Sequence, residues 1–132
     1  MLTVIQKGKT MKKAMVVDDS KIVRKVTRKI LETLGYEICE AEDGKVALDV
    51  FAAESPSLIM LDWHMPVMNG LEFLKELRGN TPNGGDPVVI FCTTETEFSN
   101  IQEAITSGAN EYVMKPFDED IIRGNLTQLG LM

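Results

Sequence analysis

The chain has 132 residues and a mass of 14.7 kDa, a size that makes one compact domain and leaves no room for a separate catalytic or DNA-reading module. Hydrophobic residues make up 44%, enough for a core without disulfide or metal staples and too many for a disordered chain. Twenty acidic residues against fourteen basic ones give a net charge of -6 and a pI near 4.8, which excludes a non-specific grip on nucleic acid or anionic lipid.

In chain order, Met1 to Thr10 lacks the apolar core of a secretory signal, and no run approaches the ~18 apolar residues of a membrane span. Met11-Lys12-Lys13 reads as a natural start, so residues 1–11 are expected to be an extension and residues 12–132 the domain, in the cytoplasm. Short apolar runs then alternate with segments of helical period, the pattern of βα units around a parallel sheet. Ala14–Val17 reads as the first strand. Ile22, Val26, Ile30 and Leu34 form the apolar stripe of the first helix, with Lys21, Arg24, Lys25, Arg28 and Lys29 mostly off it, and Gly35 ends the helix. Glu37–Ala41 is the second strand, and Val46, Ala47, Val50 and Phe51 mark a helix opened near Asp43. Leu58–Leu61 is the third strand, followed by a helix on Leu71, Leu74 and Leu77 with Asn69 as N-cap. The polar segment Gly79 to Asp86 reads as a flexible connection and not as a phosphate-binding loop, since no helix follows it. Val88–Cys92 is the fourth strand, Ile101, Ala104 and Ile105 mark the fourth helix, and Glu111–Met114 is the fifth strand. Ile122, Leu126 and Leu129 carry the last helix, with Asp118, Glu119 and Asp120 in its first turn, where acids suit the helix dipole. Cys39 and Cys92 show no metal or redox spacing and read as small core residues.

Polar residues stand at the carboxyl ends of the apolar strands: Asp18 and Asp19 after the first, Asp62 after the third, Thr93 and Thr94 after the fourth, Lys115 after the fifth. In an open parallel sheet those ends share one edge, where ligands bind. Carboxylates so close repel by a few kcal/mol per pair, on the order expected at an effective dielectric of about 20. Lys115 offsets part of that charge, and a hard divalent cation with oxygen ligands, Mg²⁺ above all, suits the remainder. Acid, hydroxyl, amine and metal together make a site for a phosphoryl group, with Asp62 as nucleophile. Capping accounts for a lone strand-end acid such as Asp43 or Asp118 but not for this set.

Val16-Val17-Asp18-Asp19-Ser20, the segment Met60-Leu61-Asp62-Trp63-His64-Met65-Pro66-Val67-Met68-Asn69-Gly70, Thr93, and Gly108 to Phe117 with Lys115-Pro116 resemble, in order and spacing, the receiver domain of two-component response regulators, the single-domain chemotaxis (CheY-like) type in particular. The resemblance runs from about Lys12 to Leu129. It implies an α/β, flavodoxin-like (βα)5 three-layer sandwich with a five-stranded parallel sheet in the order 2-1-3-4-5. It implies that Asp62 accepts a phosphoryl group from a phosphohistidine, on a sensor histidine kinase or a histidine phosphotransfer domain. Asp18, Asp19, Asp62 and the backbone carbonyl of His64 are then the Mg²⁺ ligands, and Lys115 pairs with the aspartate or its phosphate. Thr93 and Tyr112 are the switch, and Lys115-Pro116 is cis. With that strand order Cys39 and Cys92 stand three spacings of about 4.8 Å apart, roughly 14 Å and beyond disulfide reach.

His64, Thr94 and Glu95 flank the phosphoryl position and are expected to tune its lifetime. Lys21, Arg24, Lys25 and Arg28 offer a basic face to an acidic kinase. The fourth helix shows Asn100, Gln102, Glu103 and Thr106 without the basic residues that chemotaxis regulators often carry there, so the flagellar motor switch is one candidate among unidentified effector proteins. The expected protein is a monomer with no nucleic-acid or membrane partner, catalysing only its own phosphorylation and dephosphorylation. Two other readings stand beside this one: a phosphate sink or relay without an effector, and a metal-dependent phosphatase with an Asp nucleophile, in which a second acid would be wanted where His64 stands.

Overall fold

The computed structural model describes residues 12–94 and 100–132; the expected extension and Glu95 lie outside the described residues. Five strands alternate with five helices among them: β1 Lys12–Val17, α1 Lys21–Thr33, β2 Tyr36–Ala41, α2 Gly44–Glu54, β3 Leu58–Asp62, α3 Gly70–Asn80, β4 Val88–Thr93, α4 Ile101–Thr106, β5 Glu111–Met114 and α5 Glu119–Gln128. All neighbouring strands pair in parallel, in the order β2-β1-β3-β4-β5, as the resemblance implies.

The sheet is covered on both faces, which is why its strands are continuous apolar runs and not alternating ones. One face packs Met15, Val17, Ile59, Leu61 and Phe91 against Phe51 of α2, Phe73, Leu74 and Leu77 of α3 and Ala104 of α4. The other packs Ala14, Val16, Met60 and Ile90 against Leu31 of α1 and Ile122 and Leu126 of α5. Cys39 joins the first cluster and Cys92 the second, so the sheet itself stands between the two thiols. Burial pushes the Cys92 thiol up to about 12, in keeping with a core residue.

Helix starts follow their caps. Ser20, Asp43 and Asp118 accept from the backbone N–H of Val23, Val46 and Ile121. Asn69 and Glu72 form a reciprocal capping box at α3, each bond 2.9 Å.

One expectation needs correction. The Ile22-Val26-Ile30-Leu34 stripe of α1 does not all face the core: Ile22 is 76% and Val26 52% exposed, and the buried residues are Thr27 and Leu31. A step of four overshoots the helical turn by about 40°, so a stripe of three such steps rotates off the sheet at its N-terminal half. The segment 79–86 is a connection, as expected, and it is anchored at its far end. Arg78, near the end of α3, donates through Nη1 to the carbonyls of Gly84 and Pro87, both at 2.9 Å. The same guanidinium donates to the Gly108 carbonyl and to Asn110 Oδ1, at 2.8 and 3.0 Å through Nη2. Gly84 is buried, and a Cβ there would stand 1.8 Å from the Leu77 carbonyl oxygen.

Candidate functional site

Strand ends bring Asp18, Asp62, Thr93 and Lys115 to one sheet edge. Three of them are buried: Asp18 is 4%, Asp62 6% and Thr93 0% exposed. Asp19, next in the turn after β1, is exposed. Lys115 Nζ bonds Asp62 Oδ1 at 2.6 Å and Asp18 Oδ2 at 3.2 Å. Its backbone N–H donates to the Thr93 carbonyl at 2.7 Å, which locks the ends of β4 and β5 together. Lys115-Pro116 is cis. The Thr93 hydroxyl donates to the Thr94 carbonyl at 3.1 Å.

Burial pushes the Asp62 carboxyl above the usual carboxylate range; the hydrogen bond from Lys115 opposes the rise and the charge of Asp18 adds to it. Burial alone would lower Lys115, but the bond to Asp62 and the charges of both aspartates hold it above its ordinary value. One ammonium therefore stands among three carboxylates, and it pairs with two of them. Oxygen ligand atoms of Asp18, Asp19 and Asp62 lie within 4.8 Å of one another. That all-oxygen, net-negative set is the donor chemistry of a hard divalent cation such as Mg²⁺.

Backbone geometry holds the acids in place. Ser20 N–H donates to Asp18 Oδ1 at 2.9 Å, and Asp18 N–H donates to the Ala41 carbonyl at 3.1 Å. After Asp62 the chain makes a loop that is tied at both ends: Gly70 N–H donates to the Trp63 carbonyl and Gly44 N–H to the Met68 carbonyl, each at 2.9 Å. Gly70 is there because a Cβ would stand 2.1 Å from the Asp62 carbonyl oxygen. Between the ties Val67 has φ of 67°, and Met68 N–H donates to the Pro66 carbonyl at 2.7 Å, so Val67 is the centre of a γ-turn of the rare, strained kind. His64 is exposed in the same loop. Trp63 is buried with its ring 4.7 Å from that of Phe91.

Tyr112 is half-buried against the α2, α3 and α4 face of the core. Thr94 and Lys115 line a cleft of about 450 Å³ with Ile22, Val23, Val26 and Phe117. Of the basic residues of α1, Lys21 and Lys25 are exposed, while Arg24 and Arg28 turn inward to Glu40 on β2. Sequence reading grouped all four as one basic face and missed that pairing; an acid at the end of a neighbouring strand was the available signal. It also missed the strain at Val67, because φ at a β-branched residue has no mark in composition.

Residues 14–127 match the response regulator receiver domain family. Chemotaxis protein CheY1 of Helicobacter pylori is 34% identical over 116 residues, which cover 86% of this chain and 93% of that protein. Among solved structures, chemotaxis response regulator CheY4 of Vibrio cholerae has a TM-score of 0.81 at 33% identity, covering 91% of this chain and 99% of that one. A CheY-like response regulator receiver domain protein of Methanospirillum hungatei has a TM-score of 0.80 at 27% identity, covering 91% and 94%.

Proposed function

The chain belongs to the response regulator receiver family, and from that premise we propose that Asp62 is the residue through which it takes part in phosphorelay signalling. The observation that carries this reading is the 2.6 Å pairing of Asp62 with Lys115 inside a cluster of three carboxylates. An Asp62 oxygen attacks the phosphorus of a phosphohistidine on a sensor histidine kinase or phosphotransfer domain. The P–N bond breaks, the imidazole nitrogen keeps its electron pair, and an acyl phosphate forms; water later returns it to carboxylate and inorganic phosphate. Asp18, Asp19, Asp62 and the His64 carbonyl are the proposed holders of Mg²⁺, which when bound supplies charge neutralisation for the transferring oxygens.

Lys115 keeps its ammonium beside the nucleophile and gives the phosphoryl group a counter-charge. Thr93, buried at the end of β4, supplies a hydroxyl that exchanges its bond to the Thr94 carbonyl for one to a phosphoryl oxygen, and Tyr112 follows inward. That change on β5 is the signal to a protein partner. We carry over from the chemotaxis relatives a chemotaxis setting, with the flagellar motor switch as a candidate effector. Thr94 at the cleft, His64 in the loop and Glu95 are the proposed controls on phosphoryl lifetime. Lys21 and Lys25, with the exposed Ile22 and Val26 beside them on the helix, form the proposed docking face for an acidic phosphodonor. This part of the reading differs from the sequence expectation in leaving Arg24 and Arg28 to Glu40.

The test is labelling with acetyl phosphate and with a phosphorylated histidine kinase. Wild type takes up phosphate in the presence of Mg²⁺ and loses uptake with a chelator. Asp62→Asn takes up none; labelling of that variant at the wild-type level would overturn the assignment of the nucleophile.

A further inference from the structure

Three carboxylates in one place need a scaffold as well as a counter-charge. β1 ends at Val17, so Asp18 and Asp19 sit on a turn, held to β2 by the Asp18 N–H bond to Ala41. The carbonyl of Asp18 has a different partner: Arg24 Nη1 donates to it at 2.6 Å. Arg24 Nε donates in turn to Glu40 Oε1 at 3.0 Å, and Arg28 donates to the other Glu40 oxygen. The Arg24 side chain is only 15% exposed. One planar guanidinium thus spans from the acidic turn to β2, and Glu40, gripped from both sides, fixes its plane.

From this geometry we infer that Arg24 is a positioning residue for divalent-cation binding, orienting the Asp18–Asp19 turn through its main chain. The inference rests on the proposal that these carboxylates hold Mg²⁺. Its content lies in an opposition of signs. Arg24 carries a positive charge next to a cation site, so if charge alone mattered, removing it would tighten Mg²⁺ binding. If the fork holds the turn in its binding shape, removing it loosens Mg²⁺ binding despite the relief of repulsion. Lysine cannot replace the fork, because its point charge lacks the rigid pair of donors that reaches the carbonyl and the carboxylate together.

The experiment is Mg²⁺ titration of the full chain by calorimetry and by Trp63 fluorescence, for wild type, Arg24→Gln and Arg24→Lys, with thermal unfolding of each without metal. The expected result is a Kd for Mg²⁺ raised about threefold or more in both variants, read at a temperature where each is fully folded. Tighter binding in Arg24→Gln with wild-type affinity in Arg24→Lys would overturn the inference in favour of plain electrostatics. A lowered melting temperature with unchanged Kd in both would overturn it in favour of a purely structural role. Glu40→Gln guards against a variant that does not fold: it leaves Arg24 in place and loosens its plane. Since loss of the Glu40 charge alone would also disfavour a cation, the expected weakening of Mg²⁺ binding is one that persists at high ionic strength, where that charge is screened; an unchanged Kd, or a weakening abolished by salt, counts against the fork. Absence of Mg²⁺ binding by wild type would instead sink the metal-site proposal on which the inference stands.

Discussion

Val67 is 78% exposed and holds a positive φ that a β-branched residue adopts only under constraint. With its side chain in solvent it loses no packing on truncation, so the usual penalty for Val→Gly is absent and the conformational cost of the Cβ remains. Val67→Gly is therefore expected to stabilise the protein by about 1 kcal/mol, the gain from an unstrained positive φ less the added freedom of the unfolded chain. Urea unfolding checks this, and a loss of stability would mean that the turn is not strained. At this scale the sequence was most informative where chemistry selects a residue type. Asp18, Asp62, Thr93 and Lys115 were legible because a charge or hydroxyl ending an apolar strand has little other reason to be there. The strain at Val67, the close approach at Gly70 and the bond from Arg24 to the Asp18 carbonyl were not, since each answers to the main chain, and a backbone atom has no letter.

Helix α1 and strand β2 are joined by Glu40, whose two carboxylate oxygens take one guanidinium each. Burial alone would raise Glu40, but the bonds from Arg28 and Arg24 outweigh it and hold the carboxyl below its ordinary value. A depressed carboxyl adds stability that is complete above the unfolded value of about 4.3 and disappears as pH falls through the folded value. Glu40→Gln is expected to flatten that acidic limb of the stability curve, by less than about 1 kcal/mol given its exposure. Unfolding between neutral pH and the acid range measures it; an unchanged acid limb would show that the pair contributes nothing. Element identity was readable from apolar period throughout, and β5 matches its expected range residue for residue. The face of α1 was not, because a drifting stripe looks the same in sequence whether it rests on a sheet or rises off it.

At the scale of the whole molecule, Asp18, Asp19 and Asp62 stand together at one edge of the sheet, so a ligand that binds the native state there stabilises everything the sheet joins. At a Mg²⁺ concentration of 100 times Kd the gain is about 2.7 kcal/mol, a rise in melting temperature on the order of 8–10 °C for a domain of this size. Asp62→Asn, with one ligand removed, is expected to lose most of that rise. An equal rise in wild type and variant, followed by differential scanning calorimetry, would place the cation elsewhere. Topology was legible through the resemblance more than through the residues alone, since apolar runs announce parallel strands without saying which lie side by side.

The opposite edge is governed by Arg78. Its guanidinium ties Gly84 and Pro87, in the connection before β4, to Gly108 and Asn110, at the entry to β5. Two loops distant in sequence thus share a single anchor of fixed reach. Neither can gain or lose a residue without moving the other's partner, so insertions and deletions here are constrained as a pair, even though neither loop takes part in the chemistry.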